Sequence, residues 1–412
     1  MTRLNKTIYG LLGRNPVHPF PARMAPDIVS SFLSKEDNRL RVLDPMMGSG
    51  TVVALAQASD HRAIGYDIDP LATLIAKVWT SSVSAKSVRQ RAIEVLERAK
   101  VAAIRTKTRA SYPRNSDAAT RDFIDYWFDG LSRRQLTCLS NEIARTRNSR
   151  VRDALWCAFS RLIIVKQVGA SRAQDLAHSR PHRSYKTAPA KPFPNFMFSV
   201  EHVLKNLPAA SSRAAKNKVV VGIGDARRLR VKSKSIDLVL TSPPYLNAID
   251  YIRCSKFSLV WMGYSVDRLR GIRSRSVGAE IGREYKSDPE LYRIIKALNV
   301  SKLPERKRLV IGSYIADMRS ALHEVARVLV PGGRAVYVIG ENTIRGTYVR
   351  NATMLELLAK AAGLKLKTNT RRILPQNRRY MPPPSSGKQS MDARMRSEVI
   401  LQFVKPKRRN LG

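Results

Sequence analysis

The sequence predicts an α/β fold in which a doubly wound sheet carries a mainly helical insert. Three observations predict it: short apolar runs that read as strands, turns rich in glycine or proline after these strands, and a long helical stretch between two groups of them. With 412 residues, 43% of them hydrophobic, the chain is large enough for one α/β core and an insert. Doubly wound sheets bind ligands at the carboxyl ends of their strands, so the turns there are the candidate site.

The first predicted strand, residues 41–44, runs into a glycine-rich turn at 45–50 and then into a helix at 52–58. Strand, glycine turn and helix together are typical of the start of a nucleotide-binding unit. The candidate cofactor-binding residues of this segment are Asp44, Gly48, Gly50 and Thr51.

A second strand, residues 63–67, ends in Asp67, where a carboxylate can accept hydrogen bonds from both ribose hydroxyls. A nicotinamide dinucleotide would use the same layout, but the third glycine of its usual motif would fall at Val53. S-adenosylmethionine has ribose and adenine without a phosphate, so it fits these residues better.

The run 219–226 reads as the third strand of the sheet and ends in Asp225, a candidate acceptor for the adenine amino group. An ordinary strand-to-turn Gly-Asp is the competing interpretation. Its position, directly before the next apolar strand, favours the site.

That next strand, residues 236–240, leads into Thr241 and then into the most informative segment of the chain. Two consecutive prolines fix the backbone and remove two N–H groups, so the turn is rigid and rich in acceptors. The Ser242 hydroxyl oxygen and the Pro243 carbonyl can accept from an exocyclic amino group, and the Tyr245 ring offers a stacking face worth roughly 1–3 kcal/mol. The candidate catalytic residues are Ser242, Pro243, Pro244 and Tyr245.

At these residues the chain resembles the amino-methylating DNA methyltransferases, the family that modifies N-4 of cytosine or N-6 of adenine. Residues 44–51 are similar to its cofactor loop Asp-Pro-Phe-x-Gly-Ser-Gly-Thr, with Met46 in place of the aromatic residue. Residues 241–245 match its catalytic motif. Residues 18–23 resemble the stretch that closes over the methionine part of the cofactor, which adds Phe20 to the cofactor-binding candidates.

The resemblance covers about residues 15–82 and 217–404 and implies a Rossmann-like methyltransferase sheet with an antiparallel closing hairpin. It also implies S-adenosylmethionine as cofactor, double-stranded DNA as partner, and direct methyl transfer to a flipped-out base. Within the family, serine at the position of Ser242 is associated more often with cytosine, and aspartate or asparagine with adenine. We therefore expect N-4 methylation of cytosine, with N-6 methylation of adenine or amino methylation of RNA as alternatives.

The C-terminal third fits this expectation. Apolar residues at helical spacing predict a helix over 315–329, stopped by Pro-Gly-Gly at 331–333 and followed by a buried strand at 334–340. A further helix over 354–362 precedes strands at 364–371 and 398–404, which would form the closing hairpin.

Four segments follow from these assignments. Residues 1–82 form the cofactor-binding half, 83–216 a helical insert and candidate DNA-recognition region, 217–404 the catalytic half, with an arginine-rich segment near 265–310, and 405–412 a basic tail. Helical runs at 119–128 and 151–168 mark the insert.

Basic and aromatic residues outside the motifs are candidates for DNA contact through phosphates, base edges or stacking. A solvated basic loop, a solvated helix face or a rigid surface loop is the alternative for each group. These candidates are Arg172, His178, Arg180, His182, Arg270, Arg273, Arg379 and Tyr380. His178 and His182 have the spacing of zinc ligands, but Pro181 breaks the helix and no cysteine is near, so no metal is expected.

Charge supports a polyanionic partner. The chain has 74 Lys and Arg against 32 Asp and Glu, a formal net charge of +42. Since there is no apolar run of 18 residues and no signal-peptide pattern at 1–14, we expect no membrane contact and a cytoplasmic protein, nucleoid-associated in a bacterium. Three scattered cysteines suggest neither disulfides nor a zinc cluster.

Two further points stay open at the level of the sequence. A restriction endonuclease is a candidate partner, while the recognition sequence and the oligomeric state are not readable. A DNA-binding protein on a methyltransferase scaffold that no longer turns over is the rival from another class, and the intact motif residues argue against it.

Overall fold

The computed structural model describes residues 7–21, 23–34, 38–108, 111–114, 116–166, 168–178, 181–208, 219–246, 250–279, 284–285, 288–298, 300, 303–344, 347–374 and 397–407. The strands are β1 Arg41–Asp44, β2 Arg62–Asp67, β3 Ala173–Gln174, β4 His182–Arg183, β5 Val219–Ile223, β6 Ile236–Thr241, β7 Leu329–Gly340, β8 Asn342–Ile344, β9 Thr347–Val349, β10 Lys365–Ile373 and β11 Ser397–Val404.

The α-helices in these ranges are α1 Ile8–Leu12, α2 Pro26–Leu33, α3 Thr51–Ala58, α4 Pro70–Thr80, α5 Ala85–Arg105, α6 Ala118–Trp127, α7 Gly130–Ala144, α8 Ser149–Ile163, α9 Pro192–Lys205, α10 Ile252–Leu259, α11 Val266–Arg275, α12 Pro289–Ala297, α13 Glu305–Val328 and α14 Asn351–Ala361. None of these helices is long and apolar enough to cross a membrane.

Seven strands form one sheet in the order β10-β11-β7-β6-β1-β2-β5. The five strands from β7 to β5 are parallel, and β11 runs antiparallel to both β7 and β10. This is the doubly wound, Rossmann-like sheet with an antiparallel closing hairpin that the sequence predicts. The predicted third strand, β5, lies at one edge, beside β2.

Both faces of the sheet are covered, as its near-continuous apolar strands require. On one face Val42 and Leu238 pack with buried residues of α2 and α3. On the other face Leu43 and Val239 pack with buried residues of α13 and α14. The cleft described below therefore lies above a sheet whose position is fixed from both sides.

The segment between α4 and β5 is mainly helical, as predicted, with α5 to α9 and the small β3–β4 hairpin. Its core is continuous with that of the sheet domain. Ile75 and Trp79 of α4 belong to the same buried cluster as Leu155 and Phe159 of α8 and Phe257 of α10. The insert is thus packed against a helix of the cofactor-binding half and a helix of the catalytic half.

The predicted helix 315–329 differs from the observed one at both ends. It starts ten residues earlier, at Glu305, and ends at Val328, before the Pro-Gly-Gly segment. That segment belongs to β7, because Gly332 N–H donates to the Lys405 carbonyl (2.8 Å) and Lys405 N–H to the Gly333 carbonyl (2.9 Å). Pairing with the chain after β11 draws the three residues into the sheet.

Smaller differences affect the insert. The helix predicted over 151–168 covers Ser149–Ile163 and is capped by the Asn148 side chain. The helix predicted over 119–128 is α6, capped by Asp117. Cys138, Cys157 and Cys254 are all buried free thiols.

Candidate active site

One cleft lies at the carboxyl ends of β1, β2, β5 and β6, where the predicted turns meet. It is lined by residues from both halves of the sheet and from the segment 273–279. Eight of the predicted cofactor and catalytic residues line it: Phe20, Asp44, Gly48, Thr51, Asp67, Asp225, Ser242 and Pro244.

The glycine-rich turn after β1 is shaped by its backbone. Gly48 and Gly50 have φ of +51° and +86°, in the left-handed region that disfavours other residues. A Cβ on Gly50 would also stand 2.7 Å from the Ala76 Cβ of α4, so only glycine lets α3 and α4 approach this closely. Gly50 thus supports the cleft from behind, while Gly48 lines it.

Three carboxylates lie on the floor and wall of the cleft. Asp67 accepts the Gly48 N–H (2.8 Å) and the Asp69 N–H (2.9 Å). Asp44 accepts the Thr241 hydroxyl (2.7 Å), which ties β1 to β6. Asp69 accepts the Leu71 N–H (2.8 Å) and so caps α4.

Burial makes ionisation of these groups costly. It raises the pKa of Asp44 to about 7, partly offset by hydrogen bonds from Thr241 and from the Met46 N–H. It also raises the pKa of Asp69 to about 7, helped by the nearby Asp67 charge, and raises the pKa of Asp67. A cationic ligand here would be stabilised by these carboxylates and would in turn favour their ionised forms.

Asp225 lines the cleft from the end of β5 and is held by Arg227. Its two carboxylate oxygens accept the Arg227 Nε–H (2.9 and 3.1 Å), and Oδ2 also accepts Nη2–H at 2.6 Å. Arg227 also pairs with Asp317 at 2.7 Å and donates to the Arg275 carbonyl at 2.7 Å. Oδ1 of Asp225 also accepts the Arg227 backbone N–H at 2.9 Å, so a ligand amino group at Asp225 would share the carboxylate with Arg227.

The loop after β6 is fixed by three hydrogen bonds from different parts of the sheet domain. The Ser242 hydroxyl donates to the Val338 carbonyl of β7 (3.0 Å). The Tyr314 hydroxyl of α13 donates to the Pro244 carbonyl (2.8 Å). The Tyr245 hydroxyl donates to Glu398 Oε1 of β11 (3.1 Å).

Two of the four predicted catalytic residues line the cleft and two do not. Ser242 and Pro244 line the cleft, whereas Pro243 is buried and Tyr245 packs behind the cleft against the apolar cluster of the catalytic half. The Pro243 carbonyl accepts no hydrogen bond in the part of the chain that the structure describes. Burial and the Glu398 charge raise the pKa of Tyr245 well above its ordinary value, so its hydroxyl stays protonated.

An aromatic pair forms the wall next to the glycine turn. The Phe20 and Tyr251 rings are stacked, with centroids 5.4 Å apart and an interplanar angle of 20°. The Phe20 ring also lies against Gly48, where a Cβ would be 3.3 Å from its Cε1. Phe20 is thus where the sequence places it, while Tyr251, just after the catalytic loop, is a lining residue that sequence reasoning missed.

Arg23 is a second missed residue of the cleft. Its Nε–H donates to the Ser49 hydroxyl (3.1 Å) and its Nη2–H to the His18 carbonyl. Burial and the nearby Arg161 lower the pKa of Arg23 to about 10, and no carboxylate pairs with it among the described residues. A buried guanidinium without an acidic partner, on the wall of a ligand cleft, is suited to a ligand carboxylate. The signal was present in the predicted segment 18–23, two residues before α2.

The arginine-rich helix α11 reaches the cleft with one of its two predicted DNA contacts. Arg273 lines the cleft and pairs with Asp250. Arg270 is exposed, pairs with Asp267 at 2.8 Å and lies outside the cleft lining. Arg275 at the end of α11 and the lining residues 276–279 that follow it were also missed.

Two of the candidates in the insert, Arg172 and His182, do not line this cleft. Arg172 donates to the carbonyls of Asp125 and Tyr126 at 3.1 and 3.4 Å. It therefore stabilises the end of α6, and this Nη1 is not available to a phosphate. His182 is exposed on β4, 3.9 Å from Asp175. The side chains of His178 and Arg180, and both Arg379 and Tyr380, lie outside the described residues.

The sheet order, the antiparallel last strand and a cleft at the carboxyl ends of the strands are those of a doubly wound, Rossmann-like α/β fold with a ligand site above the sheet. Over nearly its whole length the chain is similar to the type II methyltransferase M.MvaI of Kocuria varians: 22% of 428 aligned residues are identical, covering 94% of this chain and 90% of that protein. No family model matches the chain.

Two further similarities are more limited. The type II methyltransferase M.MjaII of Methanocaldococcus jannaschii is 29% identical over 85 residues, which cover 20% of this chain and 16% of that protein. The YcgJ protein from Bacillus subtilis is similar to 92% of this chain over 98% of its own, with 11% identity and a TM-score of 0.34. Both sequence relatives are type II methyltransferases.

Proposed function

We propose that this protein is a DNA methyltransferase that transfers the methyl group of S-adenosylmethionine to the exocyclic amino group of a base, N-4 of cytosine. The observation that carries the proposal is the orientation of Ser242. Its hydroxyl proton is donated to the Val338 carbonyl, so the lone pairs of Oγ remain for a donor in the cleft. A base amino group is such a donor.

The lining residues fit the cofactor group by group. Asp67 would accept from the ribose hydroxyls, Asp225 from the adenine amino group, and Arg23 would pair with the methionine carboxylate. Phe20 and Tyr251 would cover the methionine part. When bound, the cofactor supplies an electrophilic methyl group on a sulfonium, and the carboxylates of Asp44, Asp67 and Asp69 balance its positive charge.

The chain's part in the reaction is to position and polarise the amino group. The lone pair of an amino group on a cytosine ring is delocalised, which makes it a poor nucleophile. Acceptors at Ser242 Oγ and the Pro243 carbonyl would hold its two hydrogens and turn the nitrogen toward tetrahedral geometry, in line with the methyl group. Positioning of this kind can contribute about 7–11 kcal/mol. The proton released after transfer leaves through the solvent side of the cleft.

DNA as the substrate is supported by the charge of the chain and by its relatives. A net charge of +42 favours a polyanion, and M.MvaI is a type II methyltransferase. A target base must leave the duplex stack to enter the cleft, at a cost of a few kcal/mol. Cleft-lining Arg273 and exposed Arg270 of α11 would offset part of that cost at the neighbouring phosphates.

Tyr245 enters this proposal in a changed role. Its ring packs against the apolar cluster of the catalytic half and its hydroxyl is tied to Glu398, so it would support the loop rather than stack on the base. Tyr251 is the aromatic residue that lines the cleft. The assignment of 83–216 as a DNA-recognition region stays part of the proposal.

The test is product analysis. Purified protein is incubated with labelled S-adenosylmethionine and either unmethylated genomic DNA or total RNA, and the nucleosides are identified by mass. We expect N-4-methylcytosine in DNA. N-6-methyladenine would be consistent with the same mechanism but would overturn the inference of cytosine from Ser242. Label in RNA alone would show that the substrate is RNA and not DNA. DNA binding without any label would favour an inactive scaffold.

A further inference from the structure

A second concave basic surface lies on the helical insert, outside the cleft. It is formed by residues 87–98 of α5, the turn between α7 and α8 and the start of α8, and four arginines line it: Arg91, Arg98, Arg145 and Arg147. We refer to it as the arginine recess. The turn it uses is itself basic, since residues 145–152 include four arginines and no acidic residue.

Only half of the recess is neutralised by the protein. Arg91 pairs with Glu94 at 2.9 Å and donates to the Thr146 hydroxyl at 3.1 Å, and Arg145 pairs with Glu142. Arg98 and Arg147 are exposed and make no ion pair or hydrogen bond with any described residue. Two uncompensated guanidinium groups in one concavity repel each other and favour an anion between or across them.

Helix α8 links the recess to the segment that leads into the cleft. The first turn of α8 borders the recess through Val151. Its last turn contacts the segment before α2, where the Ser160 hydroxyl meets His18 Nε2 at 2.9 Å and Arg161 donates to the Val17 carbonyl at 3.3 Å. This segment continues to Phe20 and Arg23 in the cleft. With fifteen residues, α8 spans a distance of about 22 Å.

This distance is less than one turn of duplex DNA, which is about 34–36 Å. We propose that the arginine recess is a second DNA-backbone site, which holds phosphates of the flanking duplex while the target base occupies the cleft. The inference rests on the proposed function in one respect, that the polyanion is DNA. It assigns to the insert an affinity role that is independent of base recognition.

The experiment compares the double variant Arg98→Gln/Arg147→Gln with wild type in the salt dependence of duplex binding. Two duplexes are used, one of about 10 base pairs, a single helical turn, and one of about 40. For the long duplex we expect the slope of log affinity against log salt to become less steep by about 2, since each phosphate contact contributes about 0.9. In the short duplex the target base is placed at the centre, so the flanking duplex extends only about 17 Å to either side, which is less than the length of α8, and the slope should not change.

The matched control is Lys360→Gln/Lys365→Gln. It removes the same charge from two exposed residues at the opposite end of the sheet, at the end of α14 and the start of β10. If the control lowers the slope as much as the recess variant, or if the recess variant leaves the long-duplex slope unchanged, the proposal is overturned. A loss of RNA binding alone would also overturn it.

Methyl transfer gives a second readout. With genomic DNA as substrate, the recess variant should raise KM for DNA and leave kcat and the affinity for S-adenosylmethionine as in wild type. A fall in kcat would instead indicate a folding defect or an effect on the cleft. If wild type methylates no DNA, the proposed function fails, while the slopes still decide whether the recess binds duplex.

Discussion

The two loops that form the cleft are built in different ways. The loop 45–50 after β1 takes its shape from its own sequence, through two glycines with positive φ and a backbone hydrogen bond from Gly50 to Met47 (2.9 Å). The loop 242–246 after β6 is stiffened by two prolines but held by side chains and carbonyls of β7, α13 and β11. The first can present backbone groups to a cofactor unaided, whereas the second depends on distant elements. Binding and turnover should therefore be separable by mutation.

The largest effect is expected at Ser242. Ser242→Ala removes an acceptor from the amino group while leaving the loop's other two tethers, so kcat should fall about 100-fold, as for other single preorganised hydrogen bonds. The Kd for S-adenosylmethionine should stay near the wild-type value. Single-turnover methyl transfer and calorimetry measure the two quantities. A large loss of cofactor affinity would show that the two loops are not separable.

The reciprocal change is Asp67→Ala. It removes the acceptor for the ribose hydroxyls and a carboxylate near the sulfonium, so the Kd for S-adenosylmethionine should rise roughly 10- to 100-fold, as expected for hydrogen bonds to a charged group. Turnover at saturating cofactor should fall much less. Equilibrium binding and kcat are measured together, and a fall in kcat with unchanged binding would contradict the assignment of Asp67 to the cofactor.

The buried carboxylates predict a pH dependence of binding. Burial raises the pKa of Asp44 to about 7, so at pH 6 the free protein holds it mostly protonated. A sulfonium cation favours the ionised form, so affinity for S-adenosylmethionine should increase between pH 6 and pH 8, by up to about tenfold for one pKa unit.

Two controls isolate that effect. S-adenosylhomocysteine, a neutral thioether, should show a weaker pH dependence, and Asp44→Asn should reduce the pH dependence for S-adenosylmethionine to the part that comes from Asp69. The folded protein should itself lose stability as pH rises from about 4 through 7, because a carboxyl with a raised pKa binds more protons folded than unfolded. Urea midpoints at pH 5.5 and 7.5 measure this, and a rising midpoint would have the wrong sign.

The smallest effect is expected at Tyr245. Tyr245→Phe removes the hydrogen bond to Glu398, so the free energy of unfolding should fall by about 1 kcal/mol. Glu398→Gln keeps an acceptor for the hydroxyl and should be closer to wild type. Both should change kcat less than Ser242→Ala does. If the Tyr245→Phe variant were as slow as Ser242→Ala, turnover would depend on the hydrogen bond between Tyr245 and Glu398 rather than on the Ser242 acceptor.

The same difference between the loops explains what could be predicted from the sequence. Gly48, Asp67 and Ser242 stand in local patterns, strand followed by turn, and such patterns were sufficient to place them at one cleft. Tyr314, Glu398 and Val338 fasten the second loop from positions 70 or more residues away, and a single sequence carries no signal for such pairs. Arg23 lay within the predicted segment 18–23 and Tyr251 followed the catalytic motif 241–245, but only the folded structure shows that their side chains face the cleft.

The position of the insert also affects how the chain can be assembled. β1 pairs with β2 soon after both are synthesised, yet its other neighbour, β6, and the edge strand β5 follow only after α5 to α9 are complete. Until then one side of β1 has no partner strand, and the contacts of α4 with the sheet domain are those with α3 and β2. Ile75 and Trp79 of α4 pack against the insert. Helices α5 to α9 can therefore cover this apolar surface of α4 during synthesis, before β5 and β6 have been made. The insert would then shield apolar surface of the half of the sheet that is synthesised first.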